Sequence, residues 1–396
     1  MKIAKIELRI LALSGKNGSS YHCNPVVCRI YTNDGLYGDG EATIMTGAGI
    51  RAALELMRDL AESIIGMDPL DTELIWNKLY CCNGISRNGG PVFFAALSAI
   101  DIALWDVKGK YFGVPVYKLL GGKQRDTLRC YASMFNVGWG KYHGPAFTTQ
   151  DFVDRALEAV GQGFNILKAD FMMHTQDGKP MTFDDRTGHA DPGMLDLAEE
   201  RIGAVREAVG PSVELIVEGH GTVDAAVGAQ FSQRLKKYQV AYYEEPCQPF
   251  LPVCEQLARI SPVPLAGGER LYTRFEYFPF MQAHAYHLFQ PDIGRCGGIT
   301  ETKKIIDLAD LFELPVQLHC NFSPVGQAAV LQMEAAMNRF AFHEQTKIAG
   351  SAMIRELGIH DYSPKGGTIA IPNVPGIGNE LTQEALEHSL ECYVVQ

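Results

Sequence analysis

The sequence predicts an α/β protein, a modified (β/α)8 barrel with an α+β capping domain built from the N-terminal segment and the C-terminal tail. Three observations carry that expectation. First, Glu218, Glu244 and Glu269 each close an apolar strand-like run (VELIVE, VAYYEE, VPLAGGE), and they fall 26 and 25 residues apart, one strand-loop-helix unit per step. Second, the beat continues through Asp292 in FQPD, His319 in VQLH and Glu344 in AFHE, at steps of 23, 27 and 25 residues. Third, the chain of 396 residues exceeds a barrel of roughly 250 residues, and the excess lies mostly before the beat begins.

Taken in order, residues 1–125 open with strand runs (KIAKIELRILAL, VVCRIYT), a turn-rich GLYGDGEA that reads as a hairpin rather than a phosphate cradle, and then helices. Pro115 and Gly121–Gly122 mark the boundary before the first barrel strand, TLRCYASMF. The barrel is expected over 126–360, with 361–396 returning to the cap. FNILKAD supplies the second strand and ends near Lys168, and the polar segment 174–193 interrupts the beat as a long active-site or interface loop. Helical periodicity in TKKIIDLADLF and GQAAVLQMEAAM separates the later strands, so parallel strands with right-handed crossovers are expected. The competing open doubly wound sheet lacks its usual G-x-G-x-x-G turn.

The net charge of −11 disfavours nucleic acid and anionic membranes as partners. Lys2, Lys5, Glu7 and Arg9 leave no apolar leader at the start, and no stretch approaches ~18 uninterrupted apolar residues, so no membrane partner and a cytoplasmic location are expected. The ten cysteines form no C-x-x-C pair and indicate neither a zinc site nor a disulfide framework.

Active groups gather at the C-terminal ends of barrel strands, where the residues of the beat lie. Carboxylates on three neighbouring strand ends suit a hard divalent cation of the magnesium type. His220 lies just beyond strand three and His319 on strand seven. Those strands are diametrically opposite in an eight-stranded barrel, so the two imidazoles approach a central ligand from opposite sides, one as base and one as acid. Asp292 is placed to accept the His319 N–H, which favours His319 as the base. A carboxylic acid held at the cation would lose its α-proton to that base, with Lys168 stabilising the enolate, and protonation of a β-hydroxyl by His220 would expel water.

The segments VEGHG, YYEEP, LAGGERLYTRF, FQPDIGRCGGITE and PVQLHCNFSPVG, with the cap helix region AALSAIDIALWDVKGKYFGVPVYKLLGG and the C-terminal IPNVPGIGNEL, resemble the enolase superfamily. The likeness spans the chain and is greatest for the mandelate racemase-like group, especially the galactonate dehydratase-type acid-sugar dehydratases. The resemblance implies a Mg2+ site at Glu218, Glu244 and Glu269, an Asp292–His319 base dyad and His220 as acid. It also implies a role for Glu344 at the substrate carboxylate, and for the 14–24 loop, which contains His22, in closing over the substrate. Two departures stand out. Glu218 occupies a position commonly held by Asp, and Lys168-Ala169-Asp170 replaces the K-x-K pair of racemases and cycloisomerases. The missing second lysine favours dehydration. Asp170 is open between substrate contact and a structural partner for Lys168, and Arg270, Arg274 and Arg295 between binding sugar-acid oxygens and bracing loops.

The expected activity is therefore removal of water from a sugar acid, an aldonate or aldarate, giving a 2-keto-3-deoxy acid. The assembly expected is a homo-oligomer. An epimerase or cycloisomerase using the same enolate is the nearest alternative, and a non-catalytic metal-binding regulatory protein the more distant one.

Overall fold

A computed structural model describes residues 1–13, 24–44, 47–81, 89–188, 191–346 and 350–396. The N-terminal layer is an antiparallel sheet of β1 (Ile3–Leu11), β2 (Val26–Thr32), β3 (Tyr37–Ala42) and the last strand of the chain, Ser389–Val395, which pairs with the free edge of β1. Alternation along β1 sends Ile6, Leu8 and Ile10 into the core, while Lys5 and Arg9 form ion pairs with Glu7 at 2.8 and 2.9 Å. Helices Gly47–Glu62 and Gly90–Phe112 cover the sheet, and Thr72–Cys81 packs on Gly90–Phe112. Gly90–Phe112 approaches β3 closely because Gly38 and Gly40 carry no side chain; a Cβ at Gly40 would run into the Ala99 carbonyl. The helix ends at Gly113, whose φ of 66° suits the left-handed C-cap. Among the described residues it is the one helix apolar and long enough to cross a membrane, and 78% of its most apolar window is packed inside the protein.

The second layer is a parallel barrel: β4 (Thr127–Ser133), β5 (Ile166–Ala169), β6 (Glu214–Glu218), β7 (Tyr242–Glu244), β8 (Leu265–Gly267), β9 (Leu288–Phe289) and β10 (His343–Thr346). Each pairs with the next up to β9, and β10 pairs with β4. The gap between β9 and β10 is closed by the segment at Val316, bridged to Phe289 and to Phe340, so eight chain segments complete the ring. This closing segment is the expected VQLH run: beyond the Val316 bridges, the Gln317 and His319 N–H groups donate to the Phe289 and Pro291 carbonyls, each at 3.0 Å. Tyr131, Ile166, Ile216, Tyr242, Ala266 and Leu288 form one layer of the barrel interior. The tail divides its contacts: β11 (Thr368–Ala370) runs antiparallel to β4, and only β12 (Ser389–Val395) joins the capping sheet.

The cap grips the barrel at the loop after β9. Trp76 Nε1 donates to the Gly297 carbonyl at 2.8 Å, the Gly297 N–H donates to Ser98 Oγ at 3.0 Å, and Asp101 accepts from both the N–H and the hydroxyl of Thr300. The polar segment 174–193 is only partly irregular. It contains a short helix, Phe183–Arg186, started by a Thr182–Asp185 capping box, and runs into helix Pro192–Val209, which Asp191 caps.

Candidate active site

The strand ends bring most of the expected residues together. Lys168 rises from β5 into the barrel mouth, where Nζ lies 2.5 Å from Glu244 Oε1, 3.0 Å from Glu218 Oε2 and 3.2 Å from Glu344 Oε1. Burial opposes its charge, but Glu244 and Glu344 hold the ammonium well above its ordinary pKa. Burial likewise works against the Glu344 carboxylate. Lys168, His319, the Ser133 hydroxyl at 2.6 Å and the Cys320 N–H at 2.9 Å outweigh it and bring the group to about 2.

Glu218 and Glu244 are register partners on adjacent strands. The extra methylene of Glu218 lets Oε1 fold back to accept from the N–H groups of Gly219 at 3.0 Å and His220 at 2.7 Å, leaving Oε2 for Lys168. Glu244 is raised well above a normal carboxyl, by burial first and then by Glu218. Its Oε2 is buried and has no hydrogen-bond partner. Glu269 stands on the other side of the mouth, with Arg295 Nη2 at 3.4 Å, Arg270 Nε at 3.6 Å and His319 Nε2 at 3.4 Å. Burial would raise it, yet His319, Arg295, Arg270 and His220 hold it far below the usual range.

Two aspartate–histidine pairs flank these carboxylates. His319 Nδ1 meets Asp292 Oδ2 at 2.7 Å in a nearly dry setting, the two side chains being 9% and 0% exposed. Across the ring, His220 Nδ1 meets Asp170 Oδ2 at 3.2 Å, with His220 34% exposed. Desolvation disfavours both imidazolium ions, but Glu269 and Asp292 raise His319 to about 9, and Glu218 and Asp170 raise His220 to about 9. A carboxylate at Nδ1 orients each ring: in the neutral form it keeps the N–H on Nδ1 and leaves Nε2 free to accept a proton, and in the charged form Nε2 carries a proton to give. Asp170 does not reach Lys168; its Oδ1 accepts from the Met172 N–H at 2.8 Å and its Oδ2 faces His220.

Arg270 pairs with Glu245 at 2.9 Å and is one-third exposed, and Arg295 lies between Glu269 and Asp292. Arg274 is turned away and pairs with Glu301 at the start of helix Gly298–Leu311. His22 lies outside the described residues. Sequence reasoning passed over Ser133 and Glu245. Ser133 was discoverable as the polar end of the first barrel strand, and Glu245 as the second acid of YYEE.

The residues at the mouth suit a hard divalent cation in chemistry more than in arrangement. Among the described residues no three His, Cys, Asp or Glu side chains already surround a common point as metal ligands. Lys168 supplies the positive charge between Glu218 and Glu244. The donors are nevertheless all carboxylate oxygens, one of them is buried without a partner, and Glu218 helps raise the carboxyl of its neighbour Glu244. A divalent cation would relieve each of these conditions.

Comparison with known proteins gives the family. Residues 151–385 match the family model described as enolase C-terminal domain-like, and residues 15–121 match that of the mandelate racemase / muconate lactonizing enzyme N-terminal domain. The chain is 32% identical to a D-galactonate dehydratase of Verminephrobacter eiseniae, with 92% of this chain and 91% of that one covered. It is 30% identical to a D-galactonate dehydratase of Ralstonia nicotianae, with 90% and 88% covered. A solved structure of an enolase superfamily member from Salmonella Typhimurium superposes with a TM-score of 0.95 at 37% identity over 100% of both chains. Members of this superfamily generally require a divalent metal. The chain belongs to the enolase superfamily, within its mandelate racemase and muconate lactonizing enzyme group, and is a dehydratase (hydro-lyase) of that group.

Proposed function

We propose that the chain dehydrates a sugar acid, an aldonate or aldarate, to a 2-keto-3-deoxy acid, with Mg2+ held by Glu218, Glu244 and Glu269. The observation that carries this reading is the pair of opposed Asp–His dyads. By strand order β6 and the Val316 segment are four steps apart in either direction round the ring, so His220 and His319 face the mouth from opposite sides. The strand-two position of a second lysine holds Asp170, which serves His220 instead.

Mg2+, when bound, would polarise the substrate carboxylate and so acidify the proton at C2. His319 Nε2 takes that proton, with Asp292 keeping the ring in place. Lys168 offsets the negative charge that develops on the carboxylate oxygens, and Glu344, fixed by Ser133 and Cys320, limits where that carboxylate can sit. His220 Nε2 delivers a proton to the C3 hydroxyl, the C3–O bond breaks, and water leaves as the C2–C3 double bond forms. The resulting enol ketonises to the product. Arg270 and Arg295 are the polar contacts available to the remaining hydroxyls, and His22 that of the 14–24 loop.

A screen of mono- and diacid sugars with Mg2+ tests the reading, with semicarbazide detecting the 2-keto-3-deoxy product. His319→Asn should abolish turnover of any acid found, and unchanged turnover on the whole panel would overturn the assignment. An epimerised or cyclised product would point to the alternative that shares the enolate. The homo-oligomer is a separate part of this reading, which light scattering would measure.

A further inference from the structure

The carboxylate partner of His319 is itself held from outside the barrel. Asp292 turns Oδ2 to His319, and its Oδ1 accepts from the Gly294 N–H at 2.8 Å and from the Thr43 hydroxyl at 2.9 Å. Thr43 belongs to the cap, one residue past β3, and is 249 residues from Asp292 in sequence. Its own N–H donates to the Gly294 carbonyl at 2.9 Å, so backbone and side chain grip the same turn. Gly294 leaves room for this grip, since a Cβ there would overlap Thr43 Oγ1. Two residues earlier, Glu41 accepts from the Ser323 N–H at 2.9 Å, the Ser323 hydroxyl at 2.5 Å and the Gly326 N–H at 3.0 Å. Those donors open helix Pro324–Ala336, which follows directly on the segment carrying His319. The end of β3 therefore holds both loops that carry the Asp292–His319 pair.

The last torsion of an aspartate is soft, with a broad two-fold profile, so one hydrogen-bonded oxygen does not fix the carboxylate plane. Two donors on Oδ1 do fix it, and they aim Oδ2 at the imidazole. We infer that Thr43 is a positioning residue, whose hydroxyl orients the Asp292 carboxylate and through it the His319 ring, so that the seating of the cap sets the direction of His319 Nε2. This rests on the proposed role of His319 as the base. Thr43 is buried, so its hydroxyl and Asp292 meet away from bulk water, where losing one donor leaves an oxygen underbonded.

The test compares Thr43→Val, which keeps the side-chain shape without the hydroxyl, with Thr43→Ser, which restores it, in the full chain. Thr43→Ala serves as a second hydroxyl-free variant if the valine does not pack. The first readout needs no substrate. In protein carrying nitrogen-15 histidine, the imidazole N–H signal of His319, assigned by its loss in His319→Asn, should shift or broaden by solvent exchange in Thr43→Val and return in Thr43→Ser. An unchanged signal overturns the inference. The second readout is turnover of the acid identified by the panel. A roughly 10- to 100-fold fall in kcat is expected for Thr43→Val, with KM within about threefold of wild type and with C2 deuterium exchange falling alongside kcat. The loss should not add to that of Asp292→Asn. Equal loss in Thr43→Ser, or full additivity with Asp292→Asn, overturns the inference. If the signal responds but His319→Asn leaves turnover intact, the base assignment fails and the positioning role with it. An unchanged signal in an enzyme that does depend on His319 refutes the positioning role alone.

Discussion

Replacing Asp170 by Asn separates the two halves of the proposed elimination. The amide keeps the shape of the side chain and an oxygen for the Met172 N–H, but removes the negative charge that faces His220 Nδ1 at 3.2 Å. A hydrogen bond to a charged group contributes about 1.5–3 kcal/mol. This one is long and its histidine is one-third exposed, so solvent screening places it at about 1.5 kcal/mol, or roughly tenfold in rate. The corresponding bond of Asp292 is 2.7 Å and almost dry, so Asp292→Asn belongs at the upper end, about 3 kcal/mol or roughly 100-fold. The assay is turnover of the identified sugar acid beside its 3-deoxy-3-fluoro analogue, because fluoride departs with little help from a general acid while hydroxide needs it. Asp170→Asn should slow loss of water about tenfold and leave fluoride release and C2 exchange within about threefold. Asp292→Asn should slow all three. If Asp170→Asn depressed fluoride release and C2 exchange as much as water loss, His220 would not be the acid.

Lys168→Met removes the ammonium from among three buried carboxylates and should destabilise the metal-free protein by about 3–5 kcal/mol. Differential scanning fluorimetry should show that deficit shrinking as Mg2+ is added, and a deficit indifferent to Mg2+ would speak against cation binding at these glutamates. Burial raises Asp101 to about 7 despite its bonds from Thr300. That value lies above its usual ~4, so between the two the folded chain binds the extra proton, and the stabilisation present at low pH is lost as pH rises through about 7. Asp101→Asn should flatten this part of the melting-temperature profile from pH 4 to 7, and an unaltered slope would contradict it. Gly40→Ala places a methyl against the Ala99 carbonyl and should cost about 1–3 kcal/mol in chemical denaturation; a neutral effect would mean that the helix on β3 can give way.

The barrel was legible in sequence because polar residues recur at a nearly constant interval at or near the strand ends, where a barrel places its chemistry. Pairing within the mouth was less legible. Lys168 and Asp170 sit two residues apart, which on a continuing strand would put them on one face. The chain leaves β5 at Ala169, however, and the Asp170 carboxylate swings across to His220, itself beyond β6 with a φ of 50°. Arg274 looked much like Arg270 on paper, yet the helix start at Glu301 draws it away. The grip of Thr43 and Glu41 on the dyad loops spans 249 and 282 residues, and no local pattern encodes it. The VQLH segment takes its expected place in the ring, bridged at Val316 and continued by the Gln317 and His319 N–H groups, which donate to the Phe289 and Pro291 carbonyls.

The unequal exposure of the two histidines follows from what each would do in a turnover. In the proposed elimination His319 would end with an added proton and His220 one proton short, so a proton would have to return to His220 before the next cycle. The one-third exposure of His220 allows that return directly. His319, at 9%, is shielded by Asp292 and Glu269, which would keep water from competing for the proposed base while the C2 proton is in transit. Exchanging the roles would place the base in water and the acid in a dry pocket without a proton supply. On the proposed roles the reaction is directional: C2 would face the Val316 side of the ring and the departing hydroxyl the β6 side. A sugar acid with the opposite arrangement of those two groups would bind without being dehydrated, and should behave in the panel as a competitive inhibitor.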